Sequence, residues 1–304
     1  MRAFLGRLAA TRTGIPALVV LALVCLAALV SLVWTPENPA AIHLQRSWQD
    51  PSLAHLLGTD RLGRDTASRI LVGARTTVVI AVGSGVLASV VGLVLGALGG
   101  LATHRVREPV AVLIDILIAF PTLLIAMTLV AVAGNGSWIV IVAVGLGAGV
   151  AIARVSRGEM RRVATSDFVA AARSSDLSAV QVLRRHILPN IAPVFVVQLS
   201  YAMASSLLAE AGLSYLGLGV PPETVSWGTM LSNGQTYIAV APLSVVWSGL
   251  AISLTVLAIT LGGDAIRDTL DPRRAREVPR RSSREQPHPH PHEVAPRATR
   301  EGGA

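Results

Sequence analysis

The chain has 304 residues, of which 52% are hydrophobic and only 14% charged, whereas a soluble domain carries nearer a quarter charged residues. All 26 basic residues are arginine, so the net charge of +8 comes without the lysine that a Walker-type phosphate loop needs. Cys25 is the lone cysteine, which excludes an intrachain disulfide and a cysteine-rich zinc site, and there is no soluble basic domain to read nucleic acid.

The low charge comes from long uncharged runs: 15–34, 76–103, 191–209 and 238–263, while 110–153 contains only Asp115. About 20 apolar residues suffice to cross a bilayer as a helix, and lipid offers an irregular backbone no partners. In chain order, the first span is 15–34. It is longer than the apolar region of a typical signal peptide, and no small-x-small cleavage site follows it. Residues 35–75 form a loop or short amphipathic helix. The second span, 76–101, carries Gly92, Gly96 and Gly100 at four-residue spacing, a smooth strip for a neighbouring helix. The third, 110–133, contains Pro121, which should kink it. "GNGS" at 134–137 separates it from the fourth, 137–153. A polar stretch, 159–189, leads to the fifth span, 191–215, and the sixth is 239–263. The tail 272–304 is rich in Arg, Pro and Ser and is expected to be disordered. Its His288, His290 and His292 alternate with prolines that resist wrapping around an ion. An all-α membrane protein with six transmembrane helices is therefore expected, organised as an N-terminal segment 1–14, a membrane domain 15–271 and a tail.

The arginines orient it. With both termini inside, 21 of the 26 fall on inner segments and five in the loop 35–75, in accord with the positive-inside rule. Charge within the spans is sparse. Asp115 and Asp264 lie near the inner surface and are expected to pair with arginine, Asp264 with Arg267. For Glu210, near the outer end of the fifth span, two readings stand: a residue lining a pathway, or a satisfied structural carboxylate. No catalytic set, cofactor site or metal site is expected, so the chain is read as no enzyme. A self-sufficient ion-coupled carrier usually places acidic groups or broken helices at the midplane. Little of that is present, so energy should come from elsewhere.

The inner stretch "AAARSSDLSAVQVLRRHILPN" interrupts this pattern. Ser166 or Asp167 can cap a short helix on which Phe168, Ala171 and Ala172 share a face. A second helix can begin near Asp176, with Leu177, Val180, Leu183 and Ile187 as its apolar face, and Pro189 should stop it before the next span. Two short helices with arginines beside an apolar strip suit docking to a partner; the alternative is a connector lying on lipid headgroups.

The stretch resembles the coupling-helix motif of ABC importer permeases. It keeps the spacing, the Ala171–Ala172 pair and the end "RHILPN", but Ala170 stands where the family usually has Glu and Asp176 where it usually has Gly. "HLLGTDRLGRDTASRILVGAR" (55–75), "DILIAFPTLLIA" (115–126), "LAEAGLSYLGLGVPPETVSWGTML" (208–231) and "LGGDAIRDTLDP" (261–272) are similar to the second permease subunit of the dipeptide/oligopeptide family, a pattern shared with nickel and glutathione systems. The resemblance implies a type I ABC importer permease in a bacterial inner membrane. It would pair with a sister permease, two cytoplasmic ATP-binding subunits and an extracytoplasmic solute-binding protein. It implies coupling through Phe168, Ala171, Ala172, Asp176, Leu177, Val180, Leu183, His186, Leu188 and Pro189. A secondary carrier or a membrane scaffold remains as a reading from a different class, for which a coupling motif has no use.

Overall fold

The computed structural model describes residues 14–270. The expected inner N-terminal segment up to residue 13 and the tail with its three histidines lie outside the described residues. Within them, all regular structure is helical, apart from one isolated bridge between Thr59 and Asp65. Helix α1 is Gly14–Val30, α2 Thr66–Leu101, α3 His104–Ile118, α4 Thr122–Ala133 and α5 Ser137–Ala164. Two short helices follow, α6 Asp167–Ser174 and α7 Ala179–Val182, then α8 Leu188–Tyr215, α9 Trp227–Gln235 and α10 Pro242–Leu270.

Four of these helical segments are long and apolar enough to cross a membrane: Thr66–Leu101, Ser137–Ala164, Ala179–Tyr215 and Pro242–Thr269. Helices α3 and α4 together make a fifth if taken as one span, but they meet at 83°. The kink expected at Pro121 is thus a full break across residues 119–121. Proline lacks the N–H that would continue the ladder, and it drives Phe120 out of helical geometry. Helix α1 is 17 residues long in the described part, short of the ~20 a span needs.

Helix α2 begins at Thr66, ahead of the expected span start at 76, so the last residues read as outer loop are helical. Arg69 and Arg75 end the apolar run without ending the helix, because arginine is a good helix former. The same holds at the far end of α5, which runs past Ala153 to Ala164.

Helices α2 and α5 form the most extensive pair. The glycine strip explains it: a Cβ on Gly96 would come within 2.8 Å of Ser156 Cβ, and one on Gly149 within 2.7 Å of Val91 Cβ. Such close approach gives the van der Waals contact that holds helices together where lipid removes the hydrophobic drive. On its other side α2 exposes Val82, Val86, Val90 and Val94 at four-residue spacing, a stripe fit for lipid or a second chain. Helix α8 packs against α5, α2 and α10, and α1 lies on α2 and α10.

Candidate functional site

The segment 166–189 sits at one end of the bundle, against the C-terminal ends of α2 and α5. Val169 of α6, Val182 of α7 and Ile187 are buried with Met160, Val163 and Ile191, and Leu93, Ala97 and Leu101 of α2 pack against them. Val169 is fully buried, while Phe168 is 47% and Val180 63% exposed. The inward face of the segment is therefore Val169, Ala172, Val182 and Ile187, with Leu177, Leu183 and Leu188 partly buried beside it. This differs from the expected phase. Phe168 and Ala171 are exposed whereas Ala172, which shares a helix face with Phe168, is buried, and Val180 lies outside the apolar face. Phe168 instead stands beside His186, ring centres 6.5 Å apart.

The local starts and stops also differ. Ser166 precedes α6, but its hydroxyl donates backward to Val163 O at 2.6 Å rather than capping the new helix. The second helix starts at Ala179, not near Asp176. Ser178 caps it, with Gln181 reaching back in a capping box. Asp176 takes φ +53°, the left-handed geometry that the expected glycine would supply. Pro189 does not stop the helix. A π-helical turn, Leu183–Ile187, joins α7 to α8 and leaves Pro189 in the first turn of α8, where its missing N–H is harmless. The segment 179–215 is one continuous rod. Pro189 is exposed, and Leu183, His186 and Leu188 are half-buried at the joint.

At the opposite end a cap is built from polar bonds. Asp65 is the N-cap of α2: its Oδ2 accepts from Ser68 N at 2.8 Å and Ser68 Oγ at 2.7 Å. His55 Nδ1 lies 3.2 Å from Asp65 Oδ1, and His55, Asp65 and Ser68 are all buried. The Ser68 hydroxyl in turn accepts from Glu37 N at 2.9 Å. Asp60 closes the preceding turn by accepting from Leu62 N at 2.9 Å and Arg64 N at 3.0 Å, and it pairs with Arg64 at 2.7 Å. The motif around 55–75 thus describes a folded loop, and its Asp65–Thr–Ala–Ser68 spacing is a helix-start signal legible in the sequence.

Residues 216–241 fold back over this end. Trp227 Nε1 donates to Ile70 O at 3.0 Å, and Thr76 Oγ1 donates to Val225 O at 2.7 Å, so α9 is fastened to α2. Across the loops, Arg61 Nη1 donates to Tyr237 Oη at 3.1 Å, and Trp48 packs on the Tyr237 ring at 5.2 Å. Glu210 sits beneath. It is 1% exposed and accepts from Ser214 Oγ at 2.7 Å; its Oε2 has no hydrogen-bond partner among the described residues. The structure therefore places Glu210 inside this chain, not on an open face. Asp115 does pair with arginine, its Oδ1 lying 3.6 Å from Arg157 Nη2. Asp264, partly buried, makes no ion pair with Arg267 or another basic residue among the described residues.

Residues 88–276 match the family described as binding-protein-dependent transport system inner membrane component. The chain is 36% identical over 256 residues to the nickel transport system permease protein NikC of Escherichia coli strain K12, covering 84% of this chain and 92% of that protein. It is 37% identical over 259 residues to a putative peptide transport system permease protein of Brucella suis biovar 1, covering 84% and 86%. It is 38% identical over 228 residues to the di/tripeptide transport system permease protein DppC of Pseudomonas aeruginosa, covering 75% of each. Its fold is similar to a chain of the MetNI methionine ABC transporter in an inward facing conformation, with a TM-score of 0.57 at 19% identity over 67% of this chain and 96% of that one. An all-helical chain with several helices apolar enough to cross a membrane and this likeness along most of its length belongs to the binding-protein-dependent transport system inner membrane component family.

Proposed function

We propose that the chain is the second permease subunit of an ATP-driven importer for dipeptides or oligopeptides, forming the pathway with a sister permease. In this reading it crosses the inner membrane six times, α1 being the first span and α3 with α4 one broken span. Both termini and the α6–α7 segment face the cytoplasm, as the arginine distribution favours. The cap of loops 35–65 and 216–241 then faces the solute-binding protein. Two ATP-binding subunits dock beneath α6 and α7, and their closure moves the bundle as a rigid body between two access states.

The observation that carries the reading is the α6–α7 segment. It is locked by Val169, Val182 and Ile187 onto the ends of α2 and α5, while Phe168, Ala171, Asp176 and Val180 face outward. A push on that outer face reaches the spans directly. Glu210, buried under the cap, is assigned a structural role rather than a pathway one.

Detergent pull-down from the native membrane and uptake in proteoliposomes of the copurified assembly test it. The expected result is copurification of an ATP-binding subunit and ATP-dependent uptake of a labelled dipeptide. Uptake without any ATPase would overturn the importer reading. The similarity to the nickel permease favours one second reading, nickel import, which uptake of radioactive Ni²⁺ in place of the dipeptide would reveal.

A further inference from the structure

A groove of about 410 Å³ lies between α2, α3 and α5 at the same end of the bundle as α6 and α7. That volume is within the roughly 300–1,000 Å³ of small-ligand sites. Arg107, Arg157 and Arg161 line it, with Glu108 and Asp115 beside them. Its position follows from the sequence: Arg107 is in the first turn of α3, Arg157 and Arg161 are near the end of α5, and Gly99 is near the end of α2. These are the ends of membrane spans, the depth at which headgroups lie.

The charges within the groove do not satisfy one another. Glu108 Oε1 takes Arg107 Nη2 at 3.4 Å, and Asp115 Oδ1 takes Arg157 Nη2 at 3.6 Å. Both carboxylates are about half exposed. Arg107 Nε and Arg157 Nη1 are buried and have no hydrogen-bond partner among the described residues. Arg161 makes no ion pair among them either. A buried guanidinium nitrogen without an acceptor is costly, so the groove is short of acceptor oxygens. Val106, Val112 and Ile116, on the same helix as Arg107, are exposed apolar side chains suited to a lipid tail.

We propose that this groove binds the phosphate of an anionic phospholipid headgroup, with Arg107, Arg157 and Arg161 as donors and the exposed face of α3 against the acyl chain. A phosphate offers several acceptor oxygens to forked guanidinium donors. Basic pockets between spans at the membrane surface are the setting in which such headgroups are held. The inference requires only that the chain lies in a bilayer; it holds whichever solute is carried and whichever end is inside.

The test uses the full chain purified with its copurifying subunits. Retained phospholipids are extracted and quantified by mass spectrometry. The wild type is expected to retain phosphatidylglycerol or cardiolipin in excess over phosphatidylethanolamine. Arg107→Gln/Arg157→Gln should retain roughly tenfold less, about 1.4 kcal/mol of affinity. Arg161→Gln, which strands no carboxylate, serves if the double variant is poorly folded and should show a several-fold loss. The charge-matched Arg105→Gln/Arg154→Gln, exposed and outside both the groove and the α6–α7 segment, should keep the lipid. Equal loss in that control would mean a diffuse surface field and overturn the site, as would undiminished retention in the groove variants. In phosphatidylcholine nanodiscs, adding a quarter phosphatidylglycerol should raise the unfolding temperature of the wild type but not of the groove variants. If inorganic phosphate reproduces that rise in pure phosphatidylcholine, the ligand is a free anion and the lipid proposal fails. Cross-linking of a cysteine at position 161 to an acidic segment of a copurifying subunit would overturn it in favour of a protein contact.

Discussion

The two ends of this bundle are held by different forces. The cap at one end buries His55, Asp65, Ser68, Ser226 and Thr229, and hydrogen bonds fasten its loops to the helices. The α6–α7 segment at the other end is held by aliphatic packing, and beyond Ser166 its side-chain hydrogen bonds, such as the Ser178–Gln181 capping box, are exposed. Hydrogen bonds are directional and fix one geometry, as a surface that receives another protein requires. Apolar packing is non-directional and roughly proportional to area. It ties the segment firmly to α2 and α5 while leaving the polar outer face available. The comparison predicts that polar substitutions at the cap cost folding, whereas substitutions on the outer face of α6–α7 cost coupling at normal stability.

The largest effect should come from Asp65→Ala. It removes the N-cap of α2 and strands the buried His55 and Ser68. Cap loss costs about 0.5–2 kcal/mol, and stranded buried donors cost about 1–3 kcal/mol more. A fall of many degrees in the detergent unfolding temperature is expected, with little protein in the membrane. Asp65→Asn keeps an acceptor for Ser68 N and should recover most of it. If Asp65→Ala is as stable as the wild type, the cap is not what holds this end.

The next test separates the faces of α6. Ala172 is buried against this chain's own core, so Ala172→Trp should overpack it, costing roughly 1–3 kcal/mol and lowering stability whether or not an ATPase is present. Ala171 is exposed, so Ala171→Trp should leave the unfolding temperature alone and lose ATPase copurification and uptake. If Ala171→Trp transports normally and still brings down the ATPase, the segment is a headgroup connector. A smaller effect is expected from Trp227→Phe. It keeps the ring against Gly73 and loses only the bond to Ile70 O, about 1 kcal/mol, read as a modest fall in unfolding temperature.

Much of this was legible in the sequence, and the exceptions share a cause. Uncharged runs located the four long apolar helices because lipid tolerates little else; the fifth run was expected to end at residue 215, and α8 ends at Tyr215. Charge marks where lipid ends, not where a helix ends, which is why α2 starts before, and α5 stops after, its apolar run. The glycine strip announced the α2–α5 contact because only glycine permits it. The burial of Ala172 beside exposed Phe168 and Ala171 was not legible, because an eight-residue helix gives two turns, too few to fix where its inward face begins. The continuity through Pro189 was hidden because a π turn adds a residue to the period and leaves no sequence signature of its own. The arginine groove was invisible because its residues come from helices far apart in the chain.

The smallest effect should come from Asp176, and it bears on the function of the segment most directly. Its φ of +53° strains an L-residue, although Asp tolerates the left-handed region better than most. Its side chain is exposed and makes no hydrogen bond or ion pair among the described residues. Asp176→Gly therefore removes strain and no internal contact. It also loosens the unfolded chain, so the net gain should be at most about 1 kcal/mol, a rise of a few degrees or less. If the turn is all that matters, uptake should be unchanged or slightly improved, because the ATPase meets the same backbone. If instead the carboxylate itself contacts the ATPase, uptake should fall while the unfolding temperature holds or rises. Asp176→Asn then separates charge from geometry, since it keeps tolerance of the left-handed region and removes only the charge. Equal uptake by wild type, Asp176→Asn and Asp176→Gly would place the function of this position in its backbone; a fall in both variants, with stability intact, would place it in the carboxylate.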